Sequence, residues 1–276
     1  MTEILREYDL VHASTAVRQG DVLEAVDASA SLWKRHLLVI TADCDLAHDK
    51  NAGRITCVPI LSSDEYLLHL QLPKIRRRLQ LKMLGSLRSA VPRSPLQGIS
   101  NDRLQEWTSE SEPESIATAL ELSEGERKKA FSLIAGLHNL RDDVDNLDAA
   151  VNAIVAAQLS LPNAPSRKNV LASIKESLRS PFSQPPGDAL FVSALGPSHE
   201  NGYFVYLRHL EQVYEPEIAL QPTRLQKSYR RISRLKTEYS HALVQRFGLV
   251  FMSIGLPEEY EELRDLHSSV LLERYQ

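Results

Sequence analysis

Leu37-Leu38-Val39-Ile40-Thr41 is an unbroken apolar run with β-branched members, the pattern of a strand buried on both faces. A second strand is predicted over Asp21-Val22-Leu23-Glu24-Ala25-Val26, with Gly20 before it suited to a tight turn. A third is predicted over Ile55-Thr56-Cys57-Val58-Pro59-Ile60-Leu61, and Pro59 places it at a sheet edge or a strand end. The polar stretch Asp43 to Arg54 separates the last two, with Asn51-Ala52-Gly53 as its turn. Three strands with short connections predict an antiparallel, barrel-like sheet.

The texture changes to helix from Glu65. Leu79, Met83, Leu84 and Leu87 recur at helical spacing, although Gly85 weakens that stretch. Ser94 to Pro113 is rich in turn formers and should loop around a short helix holding Trp107. Ser123 and Glu126 have capping-box spacing, and the helix after them should bury Phe131, Ile134, Ala135 and Leu137 to Leu140. Asp148 to Leu159 is an alanine-rich helix stopped by Pro162 and Pro165. Val170 to Leu178 reads as a short amphipathic helix ended by Pro181.

Ser183-Gln184-Pro185-Pro186-Gly187 breaks the composition. Strands follow over Asp188 to Leu195 and Gly202 to Leu207, joined by a Gly196-Pro197…Asn201-Gly202 turn. Tyr239 to Ile254 predicts a helix with Ala242, Leu243, Phe247, Val250 and Phe251 on one face, closed by Gly255 and Pro257. Glu258 to Tyr275 predicts a final helix. The simplest architecture is α+β: a β-domain of residues 1–65 and 184–222, a helical insertion of residues 66–183, and a C-terminal helical segment of residues 223–276 packed on the barrel.

Composition narrows the class. With 43% hydrophobic and 25% charged residues over 276 positions, the chain can bury a core without metal or disulfide staples. Its N-terminus has no hydrophobic leader-like stretch, and no apolar run approaches the roughly 18 residues that cross a bilayer. A cytoplasmic protein without a membrane partner is expected. Cys44 and Cys57 then read as reduced thiols.

Residues 18–63 resemble the PemK/MazF-like toxin family. The family's opening Arg-Gly-Asp-Val/Ile strand is matched by Arg18-Gln19-Gly20-Asp21-Val22, with one inserted residue. Its basic entry into a hydrophobic strand is matched by Lys34-Arg35-His36-Leu37-Leu38-Val39-Ile40, its polar loop by Asp43 to Asn51, and its closing strand by Val58-Pro59-Ile60. The resemblance implies an SH3-like barrel and metal-independent endoribonuclease chemistry. It puts the catalytic arginine on Arg35 and leaves the catalytic threonine position to Leu61, with Ser62 one residue late and His36 in place of a proline. Arg35 would stabilise a pentacoordinate phosphate, Ser62 or Ser63 would assist proton transfer, and Asp21 and Asp45 would organise the loop.

The whole chain is also similar to a loosely defined group of bacterial proteins. They combine a strand and a Cys-Asp-Leu/Ile turn with a C-terminal helix closing on Arg-Phe…Gly-Leu-Pro. Here these are Thr41-Ala42-Asp43-Cys44-Asp45-Leu46 and Arg246-Phe247…Gly255-Leu256-Pro257. That resemblance implies a place in a multi-gene bacterial system, including phage defence.

The densest polar cluster is Asp43, Cys44, Asp45, His48 and Asp49, with Cys57 on the next strand. Cys44, His48 and Cys57, with Asp45 as a fourth ligand, make a weak zinc pattern. The blander reading, in which the acids cap a turn and both thiols pack as small core groups, is favoured. Two acids flanking Cys44 disfavour a thiolate nucleophile. No Gly-x-Ser-x-Gly elbow and no phosphate-cradling glycine loop is present, so no cofactor is expected.

Two basic segments are candidate nucleic-acid or partner surfaces. One carries Lys74, Arg76, Arg77, Arg78, Lys82, Arg88 and Arg93; the other carries Arg224, Lys227, Arg230, Arg231, Arg234 and Lys236. Internal pairing with the acidic stretches, or solvated helix faces, would explain them equally. The reading that joins these features is a non-catalytic accessory component that docks a co-encoded bacterial protein, with self-association compatible. The rivals are an endoribonuclease and a nucleic-acid-binding regulator.

Overall fold

The computed structural model describes residues 6–91, 95–140, 144–161, 163–184, 186–220 and 227–251, with 262–263 and 266–267. The Gly255–Pro257 cap and all but those four positions of the helix expected over 258–275 lie outside the described residues, as do Arg93, Arg224 and Pro162.

The chain opens with β1 (Tyr8–Asp9) and β2 (Asp21–Ala25), then one turn of helix, α1 (Leu32–Arg35), leading directly into β3 (His36–Val39). The expected polar loop contains a short helix, α2 (Asp43–Ala47), before the long β4 (Arg54–Ser62). Helices follow: α3 (Ser63–Tyr66), a π-helical turn at Leu67–Gln71, α4 (Leu72–Ala90), α5 (Asn101–Glu110), α6 (Pro113–Ala119), α7 (Glu124–His138), α8 (Leu147–Leu159) and α9 (Arg167–Ser183). The chain then returns to the sheet through β5 (Ala189–Val192), β6 (Tyr203–Tyr206), β7 (Glu211–Tyr214), β8 (Ile218–Ala219) and β9 (Tyr229–Leu235), and leaves it through α10 (Thr237–Phe251).

The fold is mixed α and β. Its sheet runs in the order β1-β9-β2-β3-β4-β6-β5 and curls into a half-barrel that is antiparallel except where β8 joins β9. Strand β4 is the hinge of that curl. Its first half pairs with β7 (Cys57↔Glu211) and its second half with β6 (Ile60↔Val205). Paired positions sum to 268 against β7 and 265 against β6, so three extra residues lie between the two strands along the same edge.

Strand β4 is therefore interior and runs on past Pro59 to Ser62, where the proline had suggested a sheet edge or a strand end. The carbonyl of Thr56 accepts from Ile40 N at 2.9 Å on the β3 side, so alternation turns Pro59 toward the other side. There the ladder has a gap between β7 and β6, and a proline's missing N–H costs nothing.

Alternation splits the strands between two cores. Val22, Leu38, Val58, Ile60 and Val205 face one side, where Leu243, Phe247 and Val250 of α10 cover them. Leu23, Leu37, Val39, Ile55, Cys57 and Val213 face the other side and form a second cluster. A third cluster, built on Leu61, Tyr66 and Phe204, joins the sheet to the helices. Tyr66 stacks on Phe204 with ring centres 4.1 Å apart.

The helices share their own core around Leu79, Met83, Leu84, Leu87, Leu104, Ile134 and Ile154. The Ser123–Glu126 capping box is formed as expected. The buried stripe of α7 is Ala130, Leu133, Ile134 and Leu137, so Ala135, expected inside, is exposed. Gly85 does not interrupt α4, and α9 continues through Pro181, whose fixed φ is already helical and which sits in the final turn.

The largest departure is β9. Residues 229–235 were expected within a helical segment, yet they form the strand between β1 and β2. Arg231, Ser233 and Leu235 are its buried positions, so the strand's inward residues are partly charged and polar and give no apolar alternation.

Candidate functional site

Strand β9 carries three arginines into the sheet, and β2 meets them with two acids. The register sets Asp21 against Arg234 and Glu24 against Arg230, with a bulge between Val22 and Leu23. Asp21 is fully buried. Its Oδ2 accepts from Arg231 Nη1 at 3.2 Å and its Oδ1 from Arg234 Nε at 2.5 Å. Both guanidinium groups also donate to the Ala16 carbonyl, and Arg231 donates to that of His12, so the pair straps the N-terminal segment onto the sheet.

Glu24 lies between two cross-strand partners, His36 on β3 and Arg230 on β9. Arg230 holds Oε2 at 2.6 Å. The turn between β5 and β6, with Ser198 at φ 67° and a Gly196↔His199 bridge, brings His199 over the same carboxylate. His199 Nε2 lies 3.1 Å from Glu24 Oε1 and His36 Nε2 lies 3.6 Å from it. The two imidazoles meet edge to face at 5.4 Å. The bond to His199, with His36 and Arg230 adding to it, holds the Glu24 carboxyl far below the usual range against the opposing effect of burial. Glu24 in return raises the His199 imidazole, again against burial.

Arg35 and Ser62 do come together, through Glu65. Arg35 at the end of α1 pairs with Glu65 Oε1. Ser62 caps α3, its N and Oγ donating to Glu65 Oε2 at 2.9 and 3.0 Å, while Glu65 N returns a bond to Ser62 Oγ. Arg35 and Glu65 line a cleft of about 330 Å³ with His69 and Asp145. Asp45 is not part of it; it sits on α2, where it accepts from the Cys44 thiol at 3.7 Å.

Cys44, His48 and Cys57 do not converge. Cys44 and His48 are exposed on and after α2, whereas Cys57 is buried in the cluster around Leu23, Leu37 and Ile55. Burial, reinforced by the nearby Glu211, pushes the Cys57 thiol well above its usual range. Among the described residues the metal-competent grouping is Glu24, His36 and His199. Asp43 Oδ1 accepts from Gln19 N at 2.8 Å, 24 positions earlier, so it ties the turn before β2 to the start of α2 and does not cap its own turn.

The basic segment of α4 divides by depth. Arg76 is buried, Arg77 pairs with Asp102 at 3.2 Å, and Arg78 and Lys82 are exposed. Arg78 lines a polar groove of about 580 Å³ with Lys74 and Glu176. Arg230, Arg231 and Arg234 are all engaged by acids of β2. The charge block of 227–236 is therefore largely internal wiring of the sheet.

Sequence reasoning missed the Glu24 centre. Its one visible signal is a carboxylate interrupting an apolar strand, with a histidine across the following hairpin. His199 arrives from the other end of the chain. Chemically, two imidazoles on one carboxylate oxygen, with a guanidinium on the other, can hold a proton or a divalent cation. Comparison with protein-family models, curated proteins and solved structures finds no match for this chain.

Proposed function

We propose that this chain is an accessory interaction component of a bacterial multi-protein system and not a catalyst at Arg35. The observation that carries this reading is the double engagement of Glu65, whose two oxygens take Arg35 and Ser62. The arginine and hydroxyl that RNA cleavage would require are thereby spent on an ion pair and a helix cap. In the same reading the curled sheet is an SH3-like barrel and residues 66–183 are a helical insertion that offers the docking surface. Exposed Leu249 and Phe251 near the end of α10 add a separate apolar surface. The partner is a co-encoded protein, and phage defence is the setting suggested by the resemblance carried by Thr41 to Leu46 together with Arg246-Phe247. Co-expression with each genomic neighbour, followed by size-exclusion chromatography, tests this. One stable co-eluting complex is expected; a strict monomer that binds none of them overturns the reading.

One arrangement favours a second reading, a metal-independent endoribonuclease. The Arg35–Glu65 cleft also contains His69, so guanidinium, carboxylate and imidazole share one cavity. These are the groups that general acid–base attack on a phosphodiester needs. Highly pure protein would then cut single-stranded RNA in chelator, and Arg35→Ala would abolish cutting. Absence of cleavage over a broad RNA panel removes this reading.

A further inference from the structure

His199 Nδ1 lies 3.1 Å from the Pro197 carbonyl, which can only accept. Nδ1 therefore carries the hydrogen, and in the neutral ring Nε2 presents a lone pair. That lone pair faces Glu24 Oε1 at 3.1 Å. Two electron-rich atoms at that distance require an electrophile between or beside them. His36 supplies a second observation. It is more than nine-tenths buried, its Nε2 has no hydrogen-bond partner, and it points at the same oxygen from 3.6 Å.

These distances match a metal polyhedron. Bonds of about 2.0–2.1 Å in tetrahedral geometry give ligand–ligand edges of roughly 3.3–3.4 Å. The two edges through Oε1 are 3.1 and 3.6 Å, and all three ligand atoms lie within 4.8 Å of one another. The outer shell is also in place. Pro197 fixes the tautomer of one histidine, and Arg230 fixes the carboxylate by its other oxygen.

We propose that Glu24 Oε1, His36 Nε2 and His199 Nε2 bind one divalent transition-metal cation of the zinc class, leaving a coordination position for water or a ligand. Three protein ligands with an open position is the arrangement of reactive, not purely structural, zinc. The ligands come from β2, β3 and the β5–β6 turn, so the cation also pins that turn to the hairpin. This inference is independent of the docking proposal, since none of its ligands lies in the Arg35 cleft.

The test uses tag-free full-length protein, stripped with chelator and titrated with ZnCl2 by calorimetry and with CoCl2 by visible absorption. One equivalent should bind, with the Co(II) bands of a four- or five-coordinate nitrogen–oxygen site. His36→Ala and His199→Ala should each weaken binding at least about 100-fold, whereas Cys44→Ser and His48→Ala should leave it unchanged. Long-range nitrogen NMR of the unmutated protein guards against misfolding of His36→Ala, because zinc should shift both Nε2 resonances. Absence of binding below millimolar zinc, or binding that survives both histidine substitutions, overturns the proposal and leaves a proton as the electrophile of the cluster.

Discussion

Arg231 and Asp21 form an ion pair between β9 and β2, Nη1 to Oδ2 at 3.2 Å, with side chains only 1% and 0% exposed. Because the same guanidinium reaches the His12 and Ala16 carbonyls, one interaction closes the sheet and fastens the first segment of the chain to it.

Removing one member of such a pair leaves an uncompensated charge away from water. Asp21→Ala strands both Arg231 and Arg234, and the expected loss is about 3–5 kcal/mol. Urea denaturation reads it. A loss below about 1 kcal/mol would mean that the two arginines find water or other acids.

Gly20 precedes this pair at φ +88°, and a Cβ there would stand 2.3 Å from Ser240 Oγ. Gly20→Ala should cost about 1–2 kcal/mol for the left-handed backbone alone, with the clash in addition. Adding Ser240→Ala should recover the clash and leave the backbone part. An unchanged urea midpoint in Gly20→Ala would contradict the turn geometry.

The Glu24–His199 pair sets a pH window. A raised imidazole stabilises fully below its unfolded value of roughly 6.5 and loses that contribution as pH rises through the folded value. A depressed carboxyl stabilises above its unfolded value of roughly 4.3 and loses it only as pH falls toward the folded value. In chelator, stability should therefore be greater near pH 5.5 than near pH 8.5. His199→Gln should flatten that difference, and an equal slope in both proteins would contradict the pairing.

The two thiols should separate cleanly. Cys44 is exposed, while Cys57 is buried with its thiol raised by desolvation. A chromogenic disulfide reagent should titrate one thiol in the native protein and the second only in denaturant. Cys44→Ser should abolish the native reaction; two fast thiols would place Cys57 outside the core.

The strands around Val22, Leu38 and Val58 were legible because each buries residues on both faces, and consecutive apolar positions state that directly. Strand β9 was not. Arg231 and Ser233 occupy inward positions that a pattern of hydrophobicity assigns to apolar residues, and their compensation by Asp21 lies some 200 positions earlier. Of the candidate chemistry, Arg35 and Ser62 share a site, but Glu65, which joins them, read only as the start of a helix. His199 meets His36 through strand order, and local sequence carries no record of strand order.

Placing β9 between β1 and β2 has a consequence for synthesis. Roughly 200 residues separate Ala25 from Tyr229, and at about 5–20 residues per second the ribosome needs some 10–40 s to deliver the second after the first. Throughout that interval one edge of β2 has no neighbour, so the nascent chain carries an open strand until residues 229–235 emerge. The sheet is completed only once β9 has been made, and until then the open edge of β2 is a site where unwanted strand pairing can occur.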